Sequence, residues 1–370
     1  QKARLRMTNL CANLPSEGLL VEEFVTDDTH KTVWVIHVPK HMRRRPVYAH
    51  SKAWQRLDDS LVGLEQSRLE AILDEQELPY DWSAQVIEEA TIDDLDADAI
   101  QLARDGYKQR YPKFATECDT WTDKTFLDKA SLTIEGKITR ATLLLVGKEE
   151  KAHKLHHIAQ IVWKCFQDGQ TFGDIYTIPF IRSTSELLNR IRNYRFKIYP
   201  KNSLIPAEVW KYDTESILEG LHNSIAHQRY ESGARIVVTE DKDKLTFQNE
   251  GSFYEGTYYQ YITGEKTPKS YRNPALVKAM VNIKMIDTQG YGIHKMFVSQ
   301  KERYLPMPDY DKSSATEVVL TLPGTVIDEN YSLLLLENRN LSLTDAVLLD
   351  SVQKGKRIPS EAVAMLRKRK

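Results

Sequence analysis

Three polar residues recur at intervals of four in the segment TESILEGLHNSIAHQRY, which spans residues 214–230. Glu219, Asn223 and His227 would lie along one line of an α-helix, because residues four apart are neighbours on a helix surface. The apolar residues of the same segment predict a buried stripe directly beside that line. A carboxylate and a carboxamide at the border of a core need partners that offset their desolvation. The spacing is therefore typical either of a ligand site or of a helix with one solvated polar row.

A nucleotide with its magnesium ion would be a suitable partner for this row. Magnesium prefers oxygen ligands and keeps several of its waters, so the oxygen of Asn223 and a few phosphate oxygens would form a reasonable site. The carboxylate of Glu219 could then orient or deprotonate an attacking water. Asp213, directly before the segment, is a good N-cap for the helix.

The residues that follow favour the ligand-site interpretation. ARIVVTE and LTFQNEG flank the polar tetrad DKDK and predict a β-hairpin. At its end, Asn249 offers both a donor and an acceptor, and Gly251 allows a ligand to approach the backbone closely. Gly290 and Gly292 precede another helical pattern, where free backbone N–H groups can face phosphate. The segment EVVLTLPG then predicts a closing strand.

A helix start is also predicted between these segments, in YRNPALVKAMVNIKMID. Asn273 would act as its N-cap, and Pro274 would occupy the first helical position, where its missing N–H costs nothing.

Composition limits the class of protein. The chain has 370 residues, enough for two or three domains, with 41% hydrophobic and 28% charged residues. Its net charge of −1 gives the whole chain no strong attraction to nucleic acid or to a membrane surface. The longest apolar runs are too short to span a bilayer, and no membrane partner is expected. The three cysteines are widely spaced, which fits a reducing cytoplasm. Both ends of the sequence suggest that further residues belong to the gene product.

The N-terminal part combines strand patterns with positive charge. LLVEEFV and KTVWVIHVP predict a hairpin around TDDTH, and residues 61–76 predict a helix. Arg43, Arg44 and Arg45 stand near Tyr48 and Trp54. Such a group can grip a phosphate backbone and stack a base, but composition alone favours a solvated strand end with two packing aromatics.

The C-terminal part predicts short helices that end in positive charge. One helix face would be apolar, carried by Leu343, Val347, Leu348 and Val352. The basic residues that could contact a DNA backbone are Lys356, Arg357, Arg367 and Lys368. The alternative is a helical cap with a solvated basic end.

The segments EGLHNSIAHQRY, FQNEG, YRNP and QGYGI, in this order, resemble the ATP-binding fold of the GHKL superfamily of gyrases, heat-shock chaperones, histidine kinases and mismatch-repair proteins. More closely, the chain resembles bacterial RecG-like transcriptional regulators, which join a Schlafen AlbA-type domain, a divergent GHKL-like domain and a winged helix. HVPKHMRRRPVYAHSKAWQRLDDS looks like the second half of the AlbA-type domain. No phosphate loop of the G-x-x-x-x-G-K-[ST] type occurs, so a helicase motor is not predicted.

The resemblance implies an α+β multidomain protein. Its parts would be a partial AlbA-like α/β domain at 1–78, a helical connector at 79–150, a GHKL-like α/β sandwich at 151–328, and a partial winged helix at 329–370.

The resemblance also implies roles for the residues singled out above. Glu219 would be the water-activating carboxylate, Asn223 the magnesium ligand, and Gly290 and Gly292 part of a phosphate-facing lid; His227 would belong to the same ligand-facing row. Asn249 stands where the superfamily usually has an aspartate that reads adenine. Because an asparagine has no charge and the glycine-rich lid is short, nucleotide binding is expected in preference to fast hydrolysis.

The expected function is therefore an ATP-binding and DNA-binding transcriptional regulator, with Mg²⁺ as the metal and at most slow ATPase activity. A homo-oligomer is a further expectation. The alternative is a Schlafen-like nuclease or phage-defence protein that acts on nucleic acid, with Glu22 and Glu23 as its carboxylates. Adjacent strand residues point to opposite faces, so these two do not automatically converge on one metal ion.

Overall fold

The structure, a computed structural model, describes residues 11–12, 20–25, 31–37, 41, 45–50, 52–57, 59–74, 80–200, 205–264, 266–286 and 291–356. The chain divides into two compact units, residues 1–80 and residues 81–370.

The described β-strands lie in both units, and in the second unit helices separate successive pairs of strands. The strands are β1 Cys11–Ala12, β2 Leu20–Val25, β3 Thr32–His37, β4 Tyr48–Ala49, β5 Lys52–Leu57, β6 Ser60–Gly63, β7 Thr133–Ile134, β8 Lys137–Ile138, β9 Ile161–Gln167, β10 Gln170–Tyr176, β11 Arg195–Ile198, β12 Ala207–Trp210, β13 Ile236–Glu240, β14 Lys244–Glu250 and β15 Glu317–Pro323.

The helices are α1 Gln66–Leu73, α2 Ala97–Arg110, α3 Ala115–Cys118, α4 Asp123–Lys129, α5 Arg140–Val146, α6 Phe180–Arg190, α7 Thr214–His227, α8 Tyr259–Ile262, α9 Pro274–Asn282, α10 Tyr291–Glu302, α11 Glu329–Glu337 and α12 Leu343–Gln353. In the described part of the chain, no helix has the length and apolar character needed to cross a bilayer.

The first unit contains the predicted hairpin and one error of prediction. Strands β2 and β3 pair antiparallel from Leu20 opposite His37 to Val25 opposite Thr32, which confirms the hairpin. The predicted helix was wrong at its start, because Leu61 lies in β6 opposite Arg56 of β5. Cross-strand pairing with β5 therefore overrides the helical pattern until Gln66. The other sheet of this unit has the order β1-β4-β5-β6.

A five-stranded mixed sheet forms the centre of the second unit, with the order β10-β9-β13-β14-β15. Strands β9 and β13 are parallel, and every other neighbouring pair is antiparallel. Side chains alternate between buried and half-buried along β13 and β14, as expected for strands with one face against a core. Helix α7 crosses this buried face. An added Cβ on Gly220 would lie 3.0–3.1 Å from atoms of Leu320 and Phe247, so the glycine lets the helix approach the sheet.

Both ends of α7 are fixed by side chains. Asp213 accepts a hydrogen bond from the backbone N–H of Ser216 at 2.8 Å, which confirms the predicted N-cap. At the other end, the buried Nδ2 of Asn273 donates to the carbonyls of Ala226 at 3.0 Å and Gln228 at 2.9 Å. The side chain of Asn273 therefore closes α7, although the sequence predicted that it would cap α9.

Helix α9 begins at Pro274 as predicted, but its N-terminal caps come from elsewhere. Asp81 accepts from the N–H of Ala275 at 2.6 Å, and the hydroxyl of Ser83 accepts from the N–H of Leu276 at 3.0 Å. These caps lie about two hundred residues away in sequence, so local pattern could not reveal them.

The C-terminal helices pack against α10 through a small core that contains Phe297, Tyr331, Leu335 and Ala346. The predicted apolar face of α12 is confirmed in part, since Leu343 and Val347 pack against this core. Val352, however, is 52% exposed, and the fully buried residues of the helix are Asp345, Ala346 and Asp350. Polar partners explain the difference. Asp350 accepts from the N–H of Met307 and pairs with Lys354, while Asp345 accepts from the hydroxyl of Ser342.

The helical layer formed by residues 80–160 contains a buried carboxylate. Asp94 is 4% exposed, and it pairs with Lys154 at 2.6 Å and Lys151 at 3.2 Å. Burial alone would raise the pKa of Asp94, but hydrogen bonds from Lys154, from the N–H of Thr91 and from Lys151 hold the pKa at about 2.

Replacing Asp94 by asparagine should therefore destabilise the second unit in a pH-dependent way. The folded-state pKa is below the ordinary value, so the contribution is present above about pH 4 and is lost as the pH falls towards 2. We expect Asp94→Asn to lower the free energy of unfolding by about 2 kcal/mol at neutral pH, measured by urea denaturation, and by much less near pH 2.5. The exposed neighbour Asp93→Asn is the control. An equal loss at both pH values would contradict the assignment.

Candidate functional site

Helix α7, strand β14 and helix α10 surround one cavity in the second unit. Glu219, Asn223 and His227 line it from α7, Asn249 lines it from β14, and Gly292 lines it from the start of α10. The polar row predicted on α7 therefore faces a cavity and not open solvent, and residues from three separate segments meet there.

The side chain of Glu219 lines the cavity between Asn223 and Gly292. It accepts a hydrogen bond from Nδ2 of Asn223 at 2.8 Å. It also lies directly against the backbone of α10, since an added Cβ on Gly292 would be 1.6 Å from Oε1 of Glu219. Tyr310 also lines the cavity, and burial and then the charge of Glu219 raise the pKa of its hydroxyl. A larger residue at position 292 would displace the flexible end of the Glu219 side chain.

Asn249 lines the cavity, whereas Gly251, two residues later, is not part of its lining. Asn249 is 4% exposed, and its Nδ2 donates to the carbonyl of Glu250 at 3.2 Å. Gly251 has a φ of 104°, a conformation that favours glycine. An added Cβ there would lie 2.9 Å from Cζ of Arg272, so the close approach that Gly251 permits is occupied by a guanidinium group.

Arg272 lies beside the site, outside the lining of the cavity, and the sequence motifs did not single it out. Its Nη2 donates to the carbonyl of Ser252 at 3.1 Å, and its Cζ lies 5.2 Å from the ring centre of Tyr254. Burial lowers the pKa of Arg272. Burial, together with the charge of Arg272, lowers the pKa of His227 to about 4, so His227 is neutral at physiological pH. The YRNP segment contains Arg272, but it was interpreted only as a helix start, because of its proline.

Aromatic side chains form much of the remaining wall. They come from β14, from the segment that follows Gly251, and from the loop before β15: Phe247, Phe253, Tyr254, Tyr261, Tyr271 and Tyr310. The cavity has a volume of about 120 Å³. Sites for small molecules usually hold roughly 300–1,000 Å³. A nucleotide would therefore fit only if this cavity widened.

The charge of the lining is negative. Among the described residues that line the cavity, the charged ones are Glu219 and Glu255. Glu255 accepts from the N–H groups of Lys269 at 2.7 Å and Ser270 at 3.0 Å, and its carboxylate lies 3.8 Å from Lys266. No cluster of three or more histidine, cysteine, aspartate or glutamate residues that could hold a metal ion occurs within the described ranges.

The other predicted site residues are placed as follows. Arg45 is exposed, and Lys356 forms an ion pair with Asp311 that raises the pKa of the lysine. Glu23 accepts from the indole N–H of Trp34 at 3.1 Å. Predicted residues that lie outside the described part of the chain are Arg43, Arg44, Gly290, Arg357, Arg367 and Lys368.

Comparison with known families finds a match in the central part of the chain. Residues 233–322 match the family described as "Putative ATP-dependent DNA helicase recG C-terminal". This chain carries a RecG-like, ATPase-type domain. The match runs from just before β13 to β15 and includes Asn249, Gly251 and Gly292, whereas the Glu219–Asn223 row lies before it. Residues 70–161 match a domain of unknown function, DUF8451.

One solved structure is similar over most of the chain. It is the crystal structure of the DIP2311 protein from Corynebacterium diphtheriae, with a TM-score of 0.54 and 19% sequence identity. The similarity covers 89% of this chain and 65% of that one, so this chain corresponds to about two thirds of the length of its structural neighbour. At this identity the likeness concerns the fold. No curated protein matches the chain.

The contact between Glu219 and Gly292 can be tested in the RecG-like domain by a double-mutant cycle. Gly292→Ala should displace the carboxylate, break its hydrogen bond with Asn223 and lower the free energy of unfolding by about 1 kcal/mol. In a Glu219→Ala background the same change should cost much less, because the clashing atoms are gone. Chemical denaturation of the four proteins measures the coupling. Additive effects of the two substitutions would contradict the contact.

Proposed function

We propose that this protein is a nucleotide-responsive regulator whose RecG-like domain binds ATP with Mg²⁺ in the cavity beside α7. The observation that carries the proposal is the convergence of Glu219, Asn223, Asn249 and Gly292 on one cavity of an ATPase-type domain. The polar row of α7 provides groups for a metal-bound phosphate, and the aromatic wall provides surfaces for a planar base.

The charges of the cavity make Mg²⁺ a requirement of this proposal. A triphosphate would face the carboxylate of Glu219, and the described lining provides no lysine or arginine to balance it. A magnesium ion between them would supply the missing positive charge. Asn223 is suited to hold the ion: its Nδ2 is committed to Glu219, which leaves its oxygen available as a ligand.

The same arrangement suggests what Glu219 would do. A carboxylate beside the metal-bound phosphate could orient a water for attack. In the structure, however, the carboxylate is held by Asn223 and packed against Gly292, so it must change partners before it can act. Slow turnover, or binding without turnover, fits this arrangement better than rapid hydrolysis.

Nucleotide occupancy would act on nucleic-acid contacts made by basic residues elsewhere in the chain. Arg45 is exposed and available for a phosphate backbone. Lys356 would first have to give up its ion pair with Asp311, so we propose a smaller contribution from it. Salt-sensitive duplex binding that changes when nucleotide is added would support this part of the proposal.

Nucleotide binding is tested by thermal unfolding and titration calorimetry of the full chain. Millimolar Mg-ATP or Mg-ADP should raise Tm, because a ligand that binds only the folded state stabilises it. ATP in excess chelator should not raise it. Asn223→Ala should abolish the shift, whereas the exposed helical Asn189→Ala should keep it.

Glu219→Gln separates binding from turnover. It should retain Mg-ADP binding but lose any ATP hydrolysis, whereas Glu215→Gln, at an exposed position of the same helix, should behave as wild type. If neither nucleotide shifts Tm or produces heat with the folded wild-type protein, the proposed function is wrong.

A further inference from the structure

Strand β10, Gln170–Tyr176, is an edge of the five-stranded sheet and pairs on one side with β9. The two strands are joined by Asp168 and Gly169, both with positive φ, as in a tight two-residue hairpin. In such a hairpin the flanking residues, here Gln167 and Gln170, exchange both backbone hydrogen bonds, and bonded pairs then alternate along the ladder. Residues 171, 173 and 175 therefore direct their N–H and C=O groups away from β9.

This edge lacks the usual protection against strand addition. Natural edge strands are blunted by proline, by bulges, by short length or by charge. Strand β10 pairs with β9 through seven consecutive residues, without a bulge or a proline. Its charged residue, Asp174, is paired with Arg190 at 3.3 Å.

Large apolar side chains are exposed on both faces of the hairpin. Phe172 is 46% exposed on the face that carries the buried Trp163 and Cys165. Ile175 is 55% exposed and Phe166 is 45% exposed on the opposite face. Free backbone groups with apolar side chains above and below them are what an added β-strand would cover.

We propose that a second copy of this chain adds its own β10 to this edge, antiparallel and related by a two-fold axis at Gly173. The two five-stranded sheets would then form one continuous sheet. Thr171 would lie opposite the partner's Ile175, a β-branched pair of the kind that stabilises neighbouring strands. Gly173 would lie opposite the partner's Gly173, so no side chains meet at the symmetry axis.

The strand is complementary to itself in this register, which favours a second copy as the occupant. With the axis at Gly173, Asp174 lies opposite the partner's Phe172, and all seven residues of the strand are paired. Moving the axis to Asp174 would place two carboxylates opposite each other, which is unfavourable. Each Asp174 also keeps its ion pair with Arg190.

Sedimentation equilibrium and residue-resolved hydrogen exchange of the full chain test the proposal. Wild-type protein should have the mass of two chains, and Ile175→Lys should have the mass of one, because the lysine places a charge on each side of the join. Ile327→Lys, at a residue that is 63% exposed elsewhere in the second unit, is the matched control and should remain a dimer.

Hydrogen exchange distinguishes this join from other dimers. The amides of Thr171 and Gly173 should be protected in the wild type and should exchange rapidly in Ile175→Lys. The amides of Phe172 and Asp174, which bond to β9, should remain protected in both. A wild-type monomer at every accessible concentration, a dimer that survives Ile175→Lys, or a dimer with unprotected amides at 171 and 173 would overturn the proposal.

Discussion

The contact between the Glu219 carboxylate and the backbone of Gly292 determines the state of the whole candidate site. It joins the polar row of α7 to the first turn of α10. It also occupies the two groups, Glu219 and Asn223, that a metal-bound phosphate would use in the proposed function. A nucleotide bound by these two groups would have to displace the contact, so its binding would be coupled to movement of the Glu219 side chain.

The rest of the second unit limits what else can move. Asn273 holds the end of α7, and the start of α9 is capped by Asp81 and Ser83. At its other end, Asn282 bonds to the hydroxyl of Tyr111 and to the carbonyl of Ala130. These hydrogen bonds hold α9 against the helical layer of residues 80–160. Asn273, directly before α9, in turn holds the end of α7.

The sequence predicted the elements whose signals are local. Alternating strands with tight turns and a capped amphipathic helix identify the hairpins and α7, and the spacing of four identifies the row of Glu219, Asn223 and His227. Features that depend on distant partners could not be predicted. The pairing of Leu61 with Arg56, the caps from Asp81 and Ser83, and the buried aspartates of α12 all rest on contacts that a linear pattern does not contain.

In the candidate site, too, the residue types could be predicted from the sequence, but the contacts between distant segments could not. Asn249 and Gly292 were predicted at the site from their residue types, but the obstruction of Gly292 by Glu219 appears only when both helices are placed. Arg272 was missed because its YRNP segment also explains a helix start. The aromatic wall was missed because tyrosine and phenylalanine in sequence are more often assigned to packing than to a ligand surface.

Hydrogen exchange of the full chain, with and without Mg-ADP, tests the central claim most directly. If nucleotide opens the contact between Glu219 and Gly292, exchange should change at the amides of Tyr291, Gly292 and Ile293 and along α7 near Asn223. The amides of α9, which are braced by the helical layer, should stay unchanged. Nucleotide that binds without any change at the start of α10 would show that it occupies another place, and the account of this cavity would be wrong.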